Sequence, residues 1–281
     1  MEANAATPLT ATARHVDETS RLIDVGGRRL AFASRGEGAP VVVLETGLGA
    51  ESRDWAAVSR GVARFTRVIR YDRAGRGDSD PAPAPRDARD LVDDLHALLG
   101  RAEIRGPCVM VGHSLGGLIA RCYADRHGHN VAGLVLVDGM HEDQFDVFAP
   151  HYPPEAPGEP APVRAMRKMW TGGWRDPAST VERLDLVAST AWARRITGFG
   201  DLPLHVLSAG TFLTLPIEPP GVRADLQRRW DALQRSFLRL SSSATRTVIE
   251  TSGHFMQRDV PDAIVGAIRD MVTMLREKRS P

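Results

Sequence analysis

The stretch Cys108-Val-Met-Val-Gly-His-Ser-Leu-Gly-Gly-Leu118 decides the fold. An apolar run over residues 109–111 meets Gly-His-Ser-Leu-Gly, and a helix-compatible segment over 118–127 follows without a spacer. This pattern predicts a strand, a one-residue turn and a helix, with Ser114 at the turn. The glycines two residues before and two after the serine remove Cβ atoms that would collide in so sharp a turn.

Ser114 is therefore a candidate nucleophile. Its Oγ would stand above the sheet, at the amino end of a helix whose free N–H groups favour negative charge. Gly-x-Ser-x-Gly alone arises by chance in about one chain in ten of this length. The strand before it and the helix after it supply the context that the motif requires. The alternative is a tight strand-to-helix turn that happens to contain a serine.

The composition is that of one large globular domain. A chain of 281 residues with 42% hydrophobic content can bury an ample core and carry an inserted subdomain. Its formal net charge is +1, so nothing argues for a nucleic-acid partner or an acidic membrane surface, and neither is predicted. We expect the two cysteines, Cys108 and Cys122, to be small core residues in a reducing compartment.

Targeting signals are the next feature to be considered. No apolar run approaches transmembrane length, and residues 1–20 lack the basic start and apolar stretch of a secretory signal. We therefore expect no transmembrane segment and a cytoplasmic location.

Strands that alternate with helices along most of the chain predict an α/β fold. Residues 1–19 lack periodicity and are expected to form a tail. Residues 20–139 and 203–281 are predicted to form the core, a mostly parallel central sheet with helices on both faces.

Residues 140–202 interrupt this pattern. They show no strand signal, their prolines cluster over 150–162, and the helical pieces that follow are rich in Met and Trp. We predict a helical cap over the carboxyl edge of the sheet, with aromatic residues that could line a ligand pocket. The alternative is that these residues only pack the insertion against the sheet.

A serine hydroxyl becomes an effective nucleophile when a base takes its proton, and that base is usually a histidine oriented by a carboxylate. His254, in Thr251-Ser-Gly-His-Phe255, is the best candidate because it lies between a predicted strand and the last helix. The alternative is a loop histidine that caps a turn. His113 lies inside the strand-to-helix turn around Ser114, which is called the elbow below. Its side chain should point away from Ser114 and pack beneath the turn.

Three ordered motifs resemble those of the α/β-hydrolase superfamily, in its esterase, lipase and thioesterase-like branch. They are Tyr71-Asp-Arg-Ala-Gly-Arg-Gly-Asp-Ser79, Gly112-His-Ser-Leu-Gly-Gly117 and Ser252-Gly-His-Phe255. The resemblance covers roughly residues 20–278. It implies the α/β-hydrolase fold and a nucleophilic Ser114.

The position of the acid departs from the usual family pattern. The resemblance implies an acid just past the strand before the penultimate helix, where this chain has Val206-Leu-Ser-Ala-Gly-Thr-Phe-Leu213, without a carboxylate. Some family members carry the acid at the end of the preceding strand, which corresponds here to Asp138. A carboxylate that ends an apolar strand is costly unless it is paired, and His254 would be such a partner. The alternative is an aspartate that caps the next turn.

Other carboxylates are weaker candidates for the acid. Asp143 and Glu142 follow Asp138 closely, and Glu218 is the nearest acid beyond the usual place. Asp72 and Asp78 match a structural loop of the family, and we do not expect either to be the acid.

Stabilisation of a tetrahedral oxyanion needs two donors. The backbone N–H of Leu115, next after the nucleophile, is one of them by construction of the elbow. The family often has His-Gly before the second donor, and Thr46-Gly47 stands in that place here, so the resemblance assigns the N–H of Leu48. The alternative is an ordinary glycine-rich turn.

Cofactor and metal motifs are missing from the sequence. Neither a dinucleotide-binding nor a P-loop glycine pattern is present. His141-Glu142-Asp143 is too short for a metal motif, and we expect it to be a solvated helix start. No metal or cofactor is predicted.

The sequence therefore predicts a cofactor-independent serine hydrolase that cleaves a small-molecule ester, thioester or lactone. Two alternatives remain open. The same triad could serve carbon–carbon bond hydrolysis, a lyase or a perhydrolase reaction, or the chain could bind a ligand and keep an idle triad.

Overall fold

The computed structural model describes residues 18–212 and 220–278. The predicted tail over residues 1–19 falls almost entirely outside these ranges, since the description begins with a strand at Glu18. Glu218, one of the reserve acids, also lies outside the described residues.

The described residues form eight strands: β1 (Glu18–Asp24), β2 (Arg29–Arg35), β3 (Val42–Glu45), β4 (Val68–Tyr71), β5 (Cys108–His113), β6 (Val131–Val137), β7 (Leu204–Thr211) and β8 (Ala244–Gly253). They make a single sheet in the order β1-β2-β4-β3-β5-β6-β7-β8. The β1–β2 and β2–β4 pairs are antiparallel, and the other neighbours are parallel. The predicted mostly parallel sheet is confirmed.

The α-helices of the described ranges are α1 (Ala56–Val62), α2 (Ala88–Arg101), α3 (Leu115–Arg126), α4 (Gln144–Phe148), α5 (Ala161–Thr171), α6 (Leu186–Ala193), α7 (Pro220–Ser236), α8 (Met256–Asp259) and α9 (Pro261–Glu277). Short 3-10 segments cover Ser52–Trp55, Gly128–Asn130, Ala149–His151, Gly173–Arg175, Pro177–Ser179 and Phe237–Leu240. In the part of the chain that the structure describes, no helix is long and apolar enough to cross a bilayer.

Local sequence explains where these elements turn and begin. Gly26 and Gly27 adopt φ values of 109° and 86°, which glycine alone tolerates easily, and they close the β1–β2 hairpin. Helix α2 begins at a capping box. The Asp87 side chain accepts a hydrogen bond from the backbone of the first turn, and the Asp90 side chain accepts one from the backbone N–H of Asp87.

The core lies on both faces of the sheet. Along β5, Cys108 and Met110 pack on the face that carries α2 and α3, whereas Val109 and Val111 pack on the face that carries α1 and α9. A strand covered on both faces needs a continuous apolar run, which is the pattern that the sequence shows. Burial raises the pKa of the Cys108 thiol to about 11, so it stays a neutral core residue at physiological pH.

The chain between β6 and β7 is helical. It contains α4, α5, α6 and three of the 3-10 segments, and no strand forms between Asp138 and Pro203. Phe148 from α4 packs with Phe212 and with Trp230 of α7 in a separate apolar cluster. This cluster lies over the carboxyl ends of the strands, where Ser114 is located.

Candidate active site

Ser114 occupies a strained turn between β5 and α3, with φ 52° and ψ −120°. A Cβ on Gly112 would come within 3.0 Å of the Gly116 carbonyl, and a Cβ on Gly116 would come equally close to the Glu45 carbonyl. The Ser114 N–H donates to the carbonyl of Val137 (3.2 Å), so the turn is tied to the end of β6. The predicted elbow and the need for its two glycines are confirmed.

Asp138 follows β6 directly and is fully buried. Its φ of 44° is unusual for a residue with a side chain, and its N–H donates to the carbonyl of Leu207 in β7 at 2.7 Å. Oδ2 lies 2.6 Å from Nδ1 of His254. Oδ1 accepts hydrogen bonds from Nε1 of Trp230 (2.8 Å) and from the N–H of Ala209 (3.1 Å). The structure thus brings together the aspartate and the histidine that the sequence paired.

The contact with Asp138 fixes the tautomer of His254. A carboxylate can only accept hydrogen bonds, so Nδ1 of His254 carries the proton and the neutral ring keeps a lone pair on Nε2. His254 and Ser114 line the same cavity. Among the described residues their side chains are not hydrogen-bonded to each other, and such bonds are often long before substrate binds.

His113 braces the histidine loop. Its Nε2 donates to the carbonyl of His254 at 2.8 Å, and its Nδ1 accepts from Nε2 of Gln257 at 3.3 Å. Burial, with the nearby His254 ring, holds the pKa of His113 well below its usual value. The sequence predicted that this side chain packs beneath the turn but gave no sign of its contact with His254.

The loop after β3 passes directly beside the nucleophile. A Cβ on Gly47 would lie 3.0 Å from Nδ1 of His113 and 3.4 Å from Cβ of Ser114, so this approach leaves little room for a side chain. Leu48 lines the same cavity as Ser114. Leu115 is the first residue of α3, where a backbone N–H has no partner within the helix. Both predicted donors therefore belong to backbone next to Ser114.

The reserve acids within the described ranges have other partners. Oδ1 of Asp143 accepts from Nε of Arg194 (2.7 Å), and Oε2 of Glu142 accepts from Nη1 of Arg121 (2.7 Å). Asp72 accepts the backbone N–H of Ser52 at 2.6 Å, as suits a structural loop residue. Neither Asp143 nor Glu142 is hydrogen-bonded to His254.

The side chains of His141, Glu142 and Asp143 offer ligand atoms within 4.8 Å of one another. His141 and Glu142 are buried, so the expectation of a solvated segment was wrong for these two residues, whereas Asp143 directly precedes α4 and its side chain is 42% exposed. The reason is that Arg121, itself fully buried on α3, neutralises Glu142. Nδ1 of His141 also accepts the N–H of Asp143 at 3.1 Å. The buried donor atoms of this cluster are thus paired within the protein.

The cavity above Ser114 has a volume of about 260 Å³ and a mainly apolar wall. Phe212 stacks on Trp230, with ring centroids 3.7 Å apart, and Trp170 meets Phe212 edge-on at 5.6 Å. Four of the predicted site residues line the cavity, namely Leu48, Ser114, Leu115 and His254. The other lining residues are Met140, Gln144, Phe145, Met166, Met169, Trp170, Leu186, Phe212, Trp230 and Phe255. No Asp, Glu, Lys or Arg is among the described lining residues.

A larger groove of about 460 Å³ runs between β7, β8 and α9. None of its lining residues is a predicted site residue, and Ser114 and His254 both lie elsewhere. Of these two cavities, the smaller one therefore contains Ser114 and His254.

The model of the alpha/beta hydrolase fold family matches residues 40–201, more than half of the chain. The chain belongs to the α/β-hydrolase family. The matched region includes the loop after β3, the turn at Ser114 and Asp138, whereas His254 lies beyond its end.

This α/β hydrolase has relatives along most of its length. It is 25% identical over 248 residues to the uncharacterized protein YqjL of Bacillus subtilis (strain 168), covering 88% of this chain and 89% of that protein. It is 30% identical to the "Probable transporter efuK" of Hormonema carpetanum, covering 92% of this chain but only 43% of that longer protein. A thermophilic esterase from Thermogutta terrifontis shares the fold, with a TM-score of 0.62, 23% identity and coverage of 92% and 99% of the two chains.

Proposed function

We propose that this α/β hydrolase is a serine carboxylesterase-type enzyme that cleaves an ester, thioester or lactone through an acyl-enzyme. One observation carries the proposal. The buried carboxylate of Asp138 lies 2.6 Å from His254, and His254 shares a cavity with Ser114 in its strained turn. A nucleophile, a base and an orienting acid in chain order Ser, Asp, His are what acyl transfer on this fold requires.

The proposed reaction begins when Nε2 of His254 takes the Ser114 proton and Oγ attacks the carbonyl carbon. The oxyanion of the tetrahedral intermediate accepts hydrogen bonds from the N–H groups of Leu48 and Leu115. The protonated His254, stabilised by Asp138, then gives its proton to the leaving oxygen or sulfur. Water, deprotonated by the same histidine, then attacks the acyl carbon. The bond from this carbon to Oγ breaks, His254 returns the proton to Oγ, and the acid leaves a regenerated Ser114.

We also propose that residues 140–202 act as a cap on a core formed by residues 20–139 and 203–281, and that the cap selects the substrate. Met166, Met169 and Trp170 of α5 belong to this segment and line the cavity. The cavity volume of about 260 Å³ is below the roughly 300–1,000 Å³ of sites for drug-sized ligands. The wall and the volume favour an uncharged, compact, apolar acyl or alcohol group.

The test is intact-mass analysis after reaction with a fluorophosphonate, with the adduct located by peptide sequencing. We expect one adduct, on Ser114, and none in Ser114→Ala. Turnover would then be measured on p-nitrophenyl esters, thioesters and lactones. A folded wild-type protein that stays unlabelled would overturn the hydrolase proposal in favour of ligand binding. Labelling without turnover of any of these substrates would point to another reaction on the same triad.

A further inference from the structure

A buried arginine lies behind residues 46–49, called here the oxyanion loop for the proposed role of its Leu48 N–H, and has no part in the mechanism above. Arg73 follows β4 and is 2% exposed. Its guanidinium donates to Oε1 of Glu45 (2.6 Å) and to both carboxylate oxygens of Glu182 (2.6 and 2.8 Å). It also donates to the carbonyls of Thr46 (2.8 Å) and Gly47 (2.6 Å). One side chain therefore binds the loop through two backbone groups and connects it to two acids.

The charges of this cluster hold one another in place. Burial acts to raise the pKa of Glu182, but the Arg73 guanidinium outweighs burial and the net shift is downward. Burial raises the pKa of Glu45, which also accepts a hydrogen bond from the Tyr71 hydroxyl. A buried guanidinium with no partner would be very costly, so Arg73 cannot leave this position without disrupting the cluster.

The contact with Gly47 orients the next peptide group. The Gly47 carbonyl and the Leu48 N–H belong to one planar trans peptide, in which C=O and N–H point in opposite directions. The carbonyl points to Nη2 of Arg73. The Leu48 N–H must therefore point away from Arg73. This is the N–H proposed to bind the oxyanion.

Glu182 holds the far end of the same loop. Its Oε1 accepts the Gly49 N–H at 2.6 Å in addition to its contact with Arg73. The side chain of Glu182 is only 4% exposed. Glu182 belongs to residues 140–202, the proposed cap, whereas Arg73 belongs to residues 20–139 of the proposed core. Arg73 thus holds the loop just before Leu48, and Glu182, from the proposed cap, holds it just after Leu48.

We propose that Arg73 and Glu182 are positioning residues that hold the Leu48 N–H in the orientation needed to bind the oxyanion. This inference rests on the proposed acyl-transfer function. It assigns to the cap segment a part in building the oxyanion hole, separate from its part in lining the cavity.

The experiment compares wild type with Arg73→Met and Glu182→Gln. It measures kcat and KM on a p-nitrophenyl ester, the Ki of a trifluoromethyl ketone as transition-state mimic, and Tm. Because a misplaced donor acts mainly in the transition state, we expect kcat to fall about 100-fold in Arg73→Met and about tenfold in Glu182→Gln. KM should stay within about threefold of wild type, and the Ki should rise in parallel with the fall in kcat.

Arg86→Met is the matched control. Arg86 is also a buried arginine paired with a carboxylate, Oδ2 of Asp94 at 2.6 Å, but its guanidinium does not contact the oxyanion loop. Arg86→Met should lower Tm and leave kcat and Ki unchanged. If Arg73→Met and Glu182→Gln fold and lower only Tm, as the control does, the inference is wrong. If wild type itself is neither labelled nor active, the proposed function fails instead, and the two failures are distinct.

Discussion

The indole N–H of Trp230 donates a hydrogen bond of 2.8 Å to Oδ1 of Asp138, whose other oxygen lies 2.6 Å from His254. The same indole stacks on Phe212 and lies edge-on to His254, with ring centroids 6.1 Å apart. Trp230 thus fixes the carboxylate and also forms part of the cavity wall. Because Asp138 is fully buried, the bond from Trp230 does not compete with bulk solvent in the folded protein.

Trp230→Phe should weaken catalysis through its effect on Asp138. The substitution keeps an aromatic ring but removes a donor to a buried carboxylate, a contact worth about 1.5–3 kcal/mol. We expect kcat on a p-nitrophenyl ester to fall roughly 10- to 100-fold. Trp55→Phe is the control, since the buried Nε1 of Trp55 has no hydrogen-bond partner among the described residues. Equal losses of kcat in the two variants would count against a role for the Trp230 N–H.

Asp138→Asn should reduce kcat by about 10³- to 10⁴-fold, because the amide no longer stabilises the His254 imidazolium and favours the wrong tautomer. The rate of fluorophosphonate labelling at Ser114 should fall with it. Asp143→Asn should label and turn over at close to the wild-type rate, since its carboxylate pairs with Arg194. The reverse ranking of the two variants would identify Asp143 as the acid.

Trp170→Ala should change the preferred length of the acyl chain. Trp170 lines the cavity and packs against Phe145 and Phe148, with ring centroids 5.0 Å apart in both cases. Removing the indole enlarges an apolar space beside Ser114. We expect kcat/KM to rise for longer p-nitrophenyl esters relative to the acetate, by roughly tenfold, since one or two methylenes in an apolar pocket are worth about 1–3 kcal/mol. If the ratio of kcat/KM between longer esters and the acetate does not change, α5 does not border the acyl site.

Two glycine substitutions should have opposite effects on stability. A Cβ on Gly116 would collide with the backbone carbonyls of Glu45 and Thr46, which cannot move without displacing β3. We expect Gly116→Ala to lower the free energy of unfolding by more than about 3 kcal/mol. A Cβ on Gly266, in α9, would meet no atom within 4 Å, so Gly266→Ala should stabilise the protein by about 0.5–1 kcal/mol. Urea denaturation would measure both, and a tolerated Gly116→Ala would refute the steric argument.

Acidification should destabilise the fold through His141. Burial lowers the pKa of His141 from its ordinary 6.5 to about 4. Between these values the unfolded chain binds a proton that the folded chain does not, so the free energy of unfolding falls as the pH falls from about 6.5 to about 4. The full effect is about 3 kcal/mol. His141→Gln should show a shallower pH dependence than wild type in urea titrations, and parallel curves would exclude His141 as the source.

Features set by neighbouring residues could be predicted from the sequence. The elbow follows from an apolar strand, two glycines and a helix within eleven residues, and the structure has it at Ser114. Asp138 was identifiable as a paired carboxylate because an acid that ends an apolar strand needs a partner. The last helix, which the sequence places after His254, begins at Pro261 and ends at Glu277.

Side-chain partners that lie far apart in the chain could not be predicted. Arg73 and Glu182 are separated by 109 positions, and Trp230 and Asp138 by 92. Periodicity reports which face of an element is apolar, but it does not report which polar groups meet across the fold. His141 and Glu142 were misjudged for the same reason, since their burial depends on Arg121 of another helix.

The bond from Glu182 to the Gly49 N–H limits how freely the chain between β6 and β7 can be exchanged. A chimera that grafts a foreign segment onto residues 140–202 brings a new cavity wall, but it also removes a group that holds the loop beside Ser114. From the proposed positioning role of Glu182, we expect such a graft to keep its rate only with a carboxylate at this place. The chain between β6 and β7 thus supplies part of the cavity wall and also a contact to the loop beside Ser114, so the two cannot be exchanged separately.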